Sequence, residues 1–188
     1  ITQELVEKAK EFAYSEIEKF GLPTRLHFDI SLAKGIEISK ALNADERLVT
    51  IGVCLMDIKL GEAFAQKKLA EHVKMGVEAS NTFLLDFELD EDEKNKIINC
   101  IVAHHGTVPF NSLESEIVAN ADCYRFIHPK GVIHYIGTLT KRNLELEEIS
   151  KQAEAKLDEK MAILSLEYCK NELASFYHSF KEIFKSSI

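Results

Sequence analysis

Apolar side chains recur at helical spacing along nearly the whole chain, and this periodicity constrains the fold more than any other feature. In residues 2–20, Leu5, Ala9 and Phe12 begin a stripe that continues through Ile17. Residues spaced three and four apart lie on one face of an α-helix. The pattern therefore predicts an amphipathic helix here, and similar stripes follow to the end of the chain.

Few residues interrupt these stripes. The 188 residues include only 8 Gly and 3 Pro, which is low for an all-β or loop-rich protein. No segment shows convincing strand alternation, and for the β-rich stretch VIHYIGTL at 132–139 we expect a helix or a turn. We predict an all-α bundle of about eight helices. At this length the chain forms a single domain, residues 1–188, with a C-terminal helical extension over about 132–188.

Local signals place the predicted helices. Pro23 ends the first helix and Thr24 can cap the second, while Asp90 and Glu93 match a capping box before a further helix. From Leu146 to Phe184 the sequence is amphipathic and free of Gly and Pro. The remaining predicted helices cover residues 25–42, 44–57, 60–66, 71–85 and 112–127.

Charge and composition narrow the function classes. With 23 Lys and Arg against 31 Asp and Glu, the net charge is −8 and the pI is about 5.4. Nucleic-acid coats and anionic-membrane binders need a basic surface, so we expect neither kind of partner. No apolar run approaches the roughly 20 residues of a membrane span, and the first residues lack the apolar region of a signal peptide.

The cysteines also bear on location. The chain has 4 cysteines, at 54, 100, 123 and 169, and none forms a C-x-x-C pair. That spacing excludes a zinc ribbon and a thioredoxin-type site. We expect reduced thiols in the core of a cytoplasmic protein.

Histidines and aspartates gather at predicted helix ends. His27 starts the second helix, Asp57 ends the third, His72 starts the fifth, and Asp122 lies within the helix over 112–127. Helix ends can converge on one point, and imidazole with carboxylate suits divalent ions. The pair His104 and His105, which closes the sixth helix, belongs to the same pattern.

The neighbours of these residues predict inward-facing positions. His104 shares a helix face with Ile97 and Cys100, and Asp57 follows an apolar run. A buried carboxylate without a partner costs several kcal/mol, on the order of 2–7, so an acid at that position needs a cation or hydrogen-bond donors. The pattern predicts a site that holds one metal ion, or two bridged by a shared carboxylate.

The order of these residues resembles the HD-domain metal-dependent phosphohydrolase superfamily. The resemblance covers about residues 24–128, and each piece is weak alone, but five occur in the family's order. The matching pieces are LHFDISLAKGIEIS (26–39), VTIGVCLMDIKLG (49–61), EHVKMGVEAS (71–80), IVAHHGTVPF (101–110) and EIVANADCYRFI (116–127).

The resemblance implies a role for each residue. His27, Asp57 and Asp122 match metal ligands, with Asp57 as the bridge if two metals bind. His72 and His104 match the additional histidines of dinuclear members, and a matching His105 completes the implied ligand set. The implied cofactor is one or two divalent ions, with Mn, Fe, Zn, Ni and Mg all open.

One position departs from the family pattern. The doublet that names the superfamily should read His-Asp, and here it reads Met56-Asp57. A thioether is a soft ligand and a poor one for Mn²⁺, Mg²⁺ or Fe²⁺. We therefore expect weaker binding at the metal site that the missing histidine would serve, and reduced or absent activity.

The resemblance also implies a reaction. A metal-activated water would attack the phosphorus of a small phosphorylated substrate, with a nucleotide as one option. Asp57 and Lys59 are the predicted catalytic residues, and Lys59 and Arg125 the predicted substrate contacts.

Two other functions stay open. One is a catalytically impaired HD-fold module, a pseudoenzyme that binds metal or nucleotide and acts through a partner. The other is a structural helical protein that forms a homodimer through residues 146–184. Metal binding by the histidines discriminates between these alternatives and the enzyme.

Overall fold

The computed structural model describes residues 1–185, and within them the chain is all-α, as expected. Ten α-helices and one short 3₁₀ turn, Leu69–Glu71, account for the regular structure, and no strand occurs in this range. The helices are α1 (Gln3–Phe20), α2 (Arg25–Ala41), α3 (Glu46–Met56), α4 (Leu60–Ala65), α5 (His72–Leu84), α6 (Glu91–Ala103), α7 (Leu113–Ile127), α8 (Pro129–Thr140), α9 (Leu146–Ile163) and α10 (Glu167–Phe184).

Helix α3 lies at the centre of the bundle. Every residue from Leu48 to Met56 is buried, which is the pattern of a helix packed on all sides. It contacts α1, α2, α6 and α7. Gly52 permits the closest approach, because a Cβ at this position would lie 2.8 Å from Cys100 Sγ and Val118 Cγ2. Asp57, at the end of this helix, is therefore held in the interior.

The predicted helix starts are confirmed by their caps. The Thr24 side chain accepts a hydrogen bond from the backbone N–H of His27, so α2 begins where the sequence predicts. Asp90 and Glu93 form the predicted reciprocal capping box at the start of α6. These caps orient the helices that bear His27 and His104.

The C-terminal segment differs from the sequence expectation. Residues 146–184 form two helices, and the break falls at Leu164–Leu166 although no Gly or Pro is present. The cause is Asn120 of α7, whose Oδ1 accepts from the backbone N–H groups of Ser165 and Leu166 at 3.1 and 3.2 Å. These tertiary bonds satisfy amides that a continuous helix would bond internally. The stretch at 132–139 lies in helix α8, and these two outcomes raise the helix count from about eight to ten.

Two further features are the cysteines and the apolar character of the helices within residues 1–185. Cys54, Cys100, Cys123 and Cys169 are all free and buried, as expected for core thiols. Within residues 1–185, no helix has both the length and the apolar character that crossing a bilayer requires.

Candidate metal centre

Three histidines from two helix ends meet at one point. His72 is the first residue of α5, and His104 and His105 directly follow the last turn of α6. One ring nitrogen from each lies within 4.8 Å of the others. The predicted convergence of these histidines is thus present in the fold.

Backbone carbonyls orient two of the rings. His72 Nδ1 lies 2.7 Å from the carbonyl oxygen of Leu69, and His104 Nδ1 lies 2.6 Å from that of Ile101. A carbonyl oxygen only accepts, so each Nδ1 carries the proton. In the neutral form of each ring, the lone pair is then on Nε2. Ligating histidines are commonly held by such a hydrogen bond from the other ring nitrogen.

Both Nε2 atoms face Asp57. Asp57 Oδ1 lies 3.5 Å from His104 Nε2 and 3.7 Å from His72 Nε2. His72 Nε2 and His105 Nε2 are 3.1 Å apart. In a tetrahedral site with bonds of about 2.0–2.1 Å, neighbouring ligand atoms lie about 3.3–3.4 Å apart. The three histidines therefore have the spacing of a metal ligand set, and Asp57 lies beside two of them.

Burial favours the ligand form of these groups. His104 is fully buried, and its Nε2 has no hydrogen-bond partner among the described residues. Burial, the largest cause, lowers the pKa of His105 to about 3, so this ring is neutral near pH 7. Metal ligation requires neutral imidazole, and His105 is already in that form.

Asp57 itself is ionised. Burial alone would raise its pKa, but the Arg125 guanidinium holds the pKa of the carboxyl well below its usual range. Arg125 Nη2 donates to Asp57 Oδ2 at 2.7 Å. One carboxylate oxygen of Asp57 thus faces the histidines and the other is bound by a guanidinium.

Asp122 is engaged by two cations of the chain. Lys160 Nζ donates to its Oδ2 at 2.6 Å, and Arg125 Nη2 contacts its Oδ1. Burial would raise the pKa of Asp122, but Arg125 and Lys160 lower it below the usual range. The Arg125 guanidinium therefore lies between Asp57 and Asp122. Arg125 has one hydrogen bond, to Asp57, and an ion-pair contact with Asp122, and its predicted role as a substrate contact stays a prediction.

His27 is not among the histidines that converge. It is 6% exposed, and its Nε2 donates to the carbonyl oxygen of Gly131 at 3.1 Å. Burial, helped by the charge of Arg125, lowers its pKa to about 4. The ring is neutral, but the nitrogen that it directs toward α8 carries a proton and is not a free ligand.

The other two positions of the predicted site face elsewhere. Lys59 Nζ donates to Glu16 at 2.8 Å and to Glu62 at 2.9 Å, so its charge is balanced on the α1 side of the fold. Met56, in the place of the doublet histidine, is 1% exposed and belongs to the hydrophobic core. A side chain that packs in the core thus stands where the family has a metal-ligating histidine.

Sequence reasoning missed Lys160. This lysine is 1% exposed and occupies the buried face of α9 together with Ile149, Ala153 and Leu157. The signal was present, since a lysine that continues an apolar stripe at helical spacing must find a buried anion. Its partner, Asp122, lies on α7.

Comparison with a solved structure identifies the fold. The crystal structure of a predicted HD superfamily hydrolase from an uncultured Thermotogales bacterium superposes with a TM-score of 0.63. The match covers 95% of this chain and 90% of that one, at 17% sequence identity. The chain has the fold of the HD superfamily. The expected resemblance to the HD superfamily is thereby confirmed for the fold. No family model matches the chain.

Sequence relatives of this HD-fold chain are named Ribonuclease Y. Those from Sulfurovum sp. (strain NBC37-1) and Lactobacillus helveticus (strain DPC 4571) are 30% and 31% identical, over 66% and 64% of this chain. The relative from Campylobacter jejuni subsp. doylei is 32% identical over 62%. The chain spans about a quarter of the length of the curated relatives it matches, 24%, 22% and 21% for these three.

Proposed function

We propose that this chain is an HD-fold phosphohydrolase whose divalent metal is held by His72, His104 and His105 together with Asp57. The observation that supports it is the set of acceptors around Asp57 Oδ1. His104 Nε2 and His72 Nε2 lie 3.5 and 3.7 Å from this carboxylate oxygen, and His105 Nε2 lies 3.1 Å from His72 Nε2. Acceptors at such distances repel one another unless a cation lies among them. A mixed nitrogen and oxygen set of this spacing fits Zn²⁺, Mn²⁺ or Fe²⁺.

The chain's own groups prepare the reaction. When bound, a divalent ion lowers the pKa of its water to about 7 and polarises a phosphoryl oxygen. Leu69 and Ile101 hold the histidine rings in the ligand tautomer. Arg125 presents a fixed positive charge beside Asp57, where negative charge on a phosphoryl group would develop.

A cavity next to Arg125 favours a small phosphorylated molecule as the substrate. It has a volume of about 270 Å³, near the lower end for small-molecule sites. Arg125, Arg142 and Lys156 line it, and no carboxylate of residues 1–185 does. Lys156 is paired with Glu159 at 2.6 Å outside the lining, while Arg142 has no ion pair among the described residues.

Aromatic rings form the walls of this cavity. Phe126, Tyr135 and Phe64 line it, and Phe64 is 48% exposed. The Arg142 guanidinium lies 5.8 Å from the Phe64 ring centre. Rings and cations together suit a phosphate ester that carries a flat aromatic group, and a nucleotide is such an ester.

An RNA phosphodiester is the alternative substrate, because the sequence relatives are named Ribonuclease Y. The chain's net charge of −8 does not favour RNA binding.

Metal content is the first experiment. Protein purified without chelator and without a histidine tag is expected to hold about one transition-metal ion per chain after soaking in Mn²⁺, Fe²⁺ or Zn²⁺. His104→Ala should lose it, whereas His178→Ala, at an exposed position on α10, should keep it. Less than about a tenth of an equivalent in the unmodified protein would refute the proposal.

Turnover is the second experiment. The metal-loaded protein is assayed against a nucleoside monophosphate, a dinucleotide polyphosphate, a cyclic dinucleotide and a short RNA. Hydrolysis of one of them, lost with His104→Ala and with Asp57→Asn, is expected. If all four compounds remain intact while metal is bound, the chain is a non-catalytic HD-fold module. The ion pair between Asp122 and Lys160 favours this second function.

The location of the chain is part of the proposal. Four free buried cysteines are typical of a reducing compartment, so we place the protein in the cytoplasm. Fractionation of cells that produce the protein tests this placement.

A further inference from the structure

Four buried charges form a closed cluster beside the histidines. Arg125 Nη2 contacts Asp57 Oδ2 at 2.7 Å and also Asp122 Oδ1, and Lys160 Nζ lies 2.6 Å from Asp122 Oδ2. Asp122 is fully buried, and the other three side chains are 1–5% exposed. Two carboxylates thus face two cations at a place that is almost entirely buried.

A divalent ion does not fit this cluster. Both oxygens of Asp122 and one oxygen of Asp57 are already bound by protein cations, and the four charges sum to zero. An added ion would leave two positive charges uncompensated in a buried site and would face Arg125 and Lys160 at close range. Burying unpaired charge and bringing like charges together are both unfavourable.

The other residues of the same site offer little to a metal. His27 Nε2 carries a proton and donates it to the Gly131 carbonyl, which leaves Nδ1 as the lone-pair nitrogen of that ring, and Met56 belongs to the core. Asp122 Oδ2 is bound by Lys160, its Oδ1 lies against Arg125, and Nε2 of His27 carries a proton. The place that the resemblance assigns to His27, Asp57 and Asp122 therefore does not suit a divalent ion in this chain.

We infer that Arg125 and Lys160 are built-in cations that replace one metal ion of the HD site, so that the chain takes a single metal, at its histidines. Asp122 is then a structural anion that holds α9 to α7 through Lys160, and not a metal ligand. Arg125 is a positioning residue that holds Asp57 with one oxygen toward the histidines. This inference extends the proposed function, but the charge cluster can be tested separately from it.

A charge-balanced double variant tests the role of Asp122. Asp122→Asn combined with Lys160→Met removes one charge of each sign, so the cluster stays neutral and Arg125 keeps Asp57 as its partner. We expect this variant to fold and to bind as much Zn²⁺ or Mn²⁺, measured by elemental analysis, as the unmodified protein. A loss of at least half of the bound metal would show that Asp122 is a ligand and would overturn the inference.

Removal of the built-in cation tests the replacement directly. Arg125→Met leaves two carboxylates against one lysine, which is an unfilled cation site. We expect this variant to bind one Mn²⁺ more than the unmodified protein, and its melting temperature to rise on addition of Mn²⁺. Arg47→Met, at an exposed position on α3, serves as the matched control and should bind no additional ion.

The results separate the inference from the proposed function. Binding of two ions by the unmodified protein, or no gain of metal by folded Arg125→Met, would overturn the inference. If the unmodified protein binds no metal while Arg125→Met binds one, the proposed function fails, and the replacement of one metal ion by Arg125 and Lys160 stands. If Arg125→Met does not fold, the double variant decides.

Discussion

Nε2 of His104 lies 3.5 Å from Oδ1 of Asp57 and faces it without a protein donor between them. The two residues come from the ends of α6 and α3, and the carbonyl of Ile101 holds the imidazole in the tautomer that makes this nitrogen an acceptor. Two acceptors at this distance repel one another, and a metal ion between them would remove the repulsion. This relationship leads to the first prediction.

Metal should stabilise the fold. The acceptors around Asp57 come together only in the folded chain, so the metal binds the folded state and not the unfolded one. Binding of this kind raises the free energy of unfolding by mass action. Zinc at 100 times its dissociation constant is expected to raise the free energy of unfolding by about 2.7 kcal/mol. Urea denaturation with zinc and with chelator measures this difference. His104→Ala should abolish it and His178→Ala should keep it; equal curves for the unmodified protein with and without zinc would contradict the prediction.

Stability should fall as the pH drops from 6.5 to about 4. The pKa of His27 is lowered to about 4 by burial, so in this range the unfolded chain binds a proton that the folded chain does not. The unfolded state is then favoured as pH falls. For one group the change is about 1.4 kcal/mol per pH unit, or about 3 kcal/mol over the window.

His27→Gln tests the source of this slope. The amide keeps a donor for the Gly131 carbonyl and does not titrate, so the loss of unfolding free energy between pH 6.5 and 4.5 should be smaller. His105, whose pKa is lowered to about 3, contributes in the same window, so some slope remains. His178→Gln is the control. An unchanged slope in His27→Gln would show that His27 is not its source.

Asn120→Ala should loosen the break between α9 and α10. It removes the acceptor of two backbone N–H groups, at Ser165 and Leu166, and the donor to Ser165 Oγ. A lost hydrogen bond at a half-buried amide costs about 0.5–1.5 kcal/mol, so we expect a loss of about 1–2 kcal/mol in urea denaturation. Asn171→Ala, at an exposed position on α10, should change stability little. If Asn120→Ala loses no more unfolding free energy than Asn171→Ala, Asn120 does not stabilise the break.

Two glycine substitutions should have opposite signs. Alanine at Gly52 would place a methyl group 2.8 Å from Cys100 and Val118 in the core, which we expect to cost about 1–3 kcal/mol. Alanine at Gly137, an exposed position in α8 with no atom within 4 Å, should gain about 0.5–1 kcal/mol. Thermal unfolding measures both. A stabilising Gly52→Ala would mean that the α3–α6–α7 contact is looser than the structure shows.

Restoring the doublet histidine should not restore a second metal. Met56→His adds an imidazole at a position that is 1% exposed, but Arg125 and Lys160 still bind the carboxylates. We expect the metal content to stay at the level of the unmodified protein and stability to decrease, because a polar ring replaces a core side chain. A gain of one ion per chain in Met56→His would contradict the role of the built-in cations.

The sequence by itself determined the helices and most of their ends. Periodicity, the Thr24 cap and the Asp90–Glu93 capping box depend on residues three or four positions apart, so the local sequence contains them. It also predicted that His72, His104 and Asp57 share a site, because polar residues at the ends of apolar helices need a common partner.

Only the tertiary structure decided which groups meet. Arg125, expected to contact substrate, binds Asp57 and Asp122, and Lys160 binds Asp122 from a helix 38 residues away. The break at Leu164–Leu166 likewise depends on Asn120 of another helix. Helical spacing shows that Lys160 faces inward but not which anion it meets. That choice depends on how α7 and α9 pack, since a buried charge is stable only where packing supplies the opposite one.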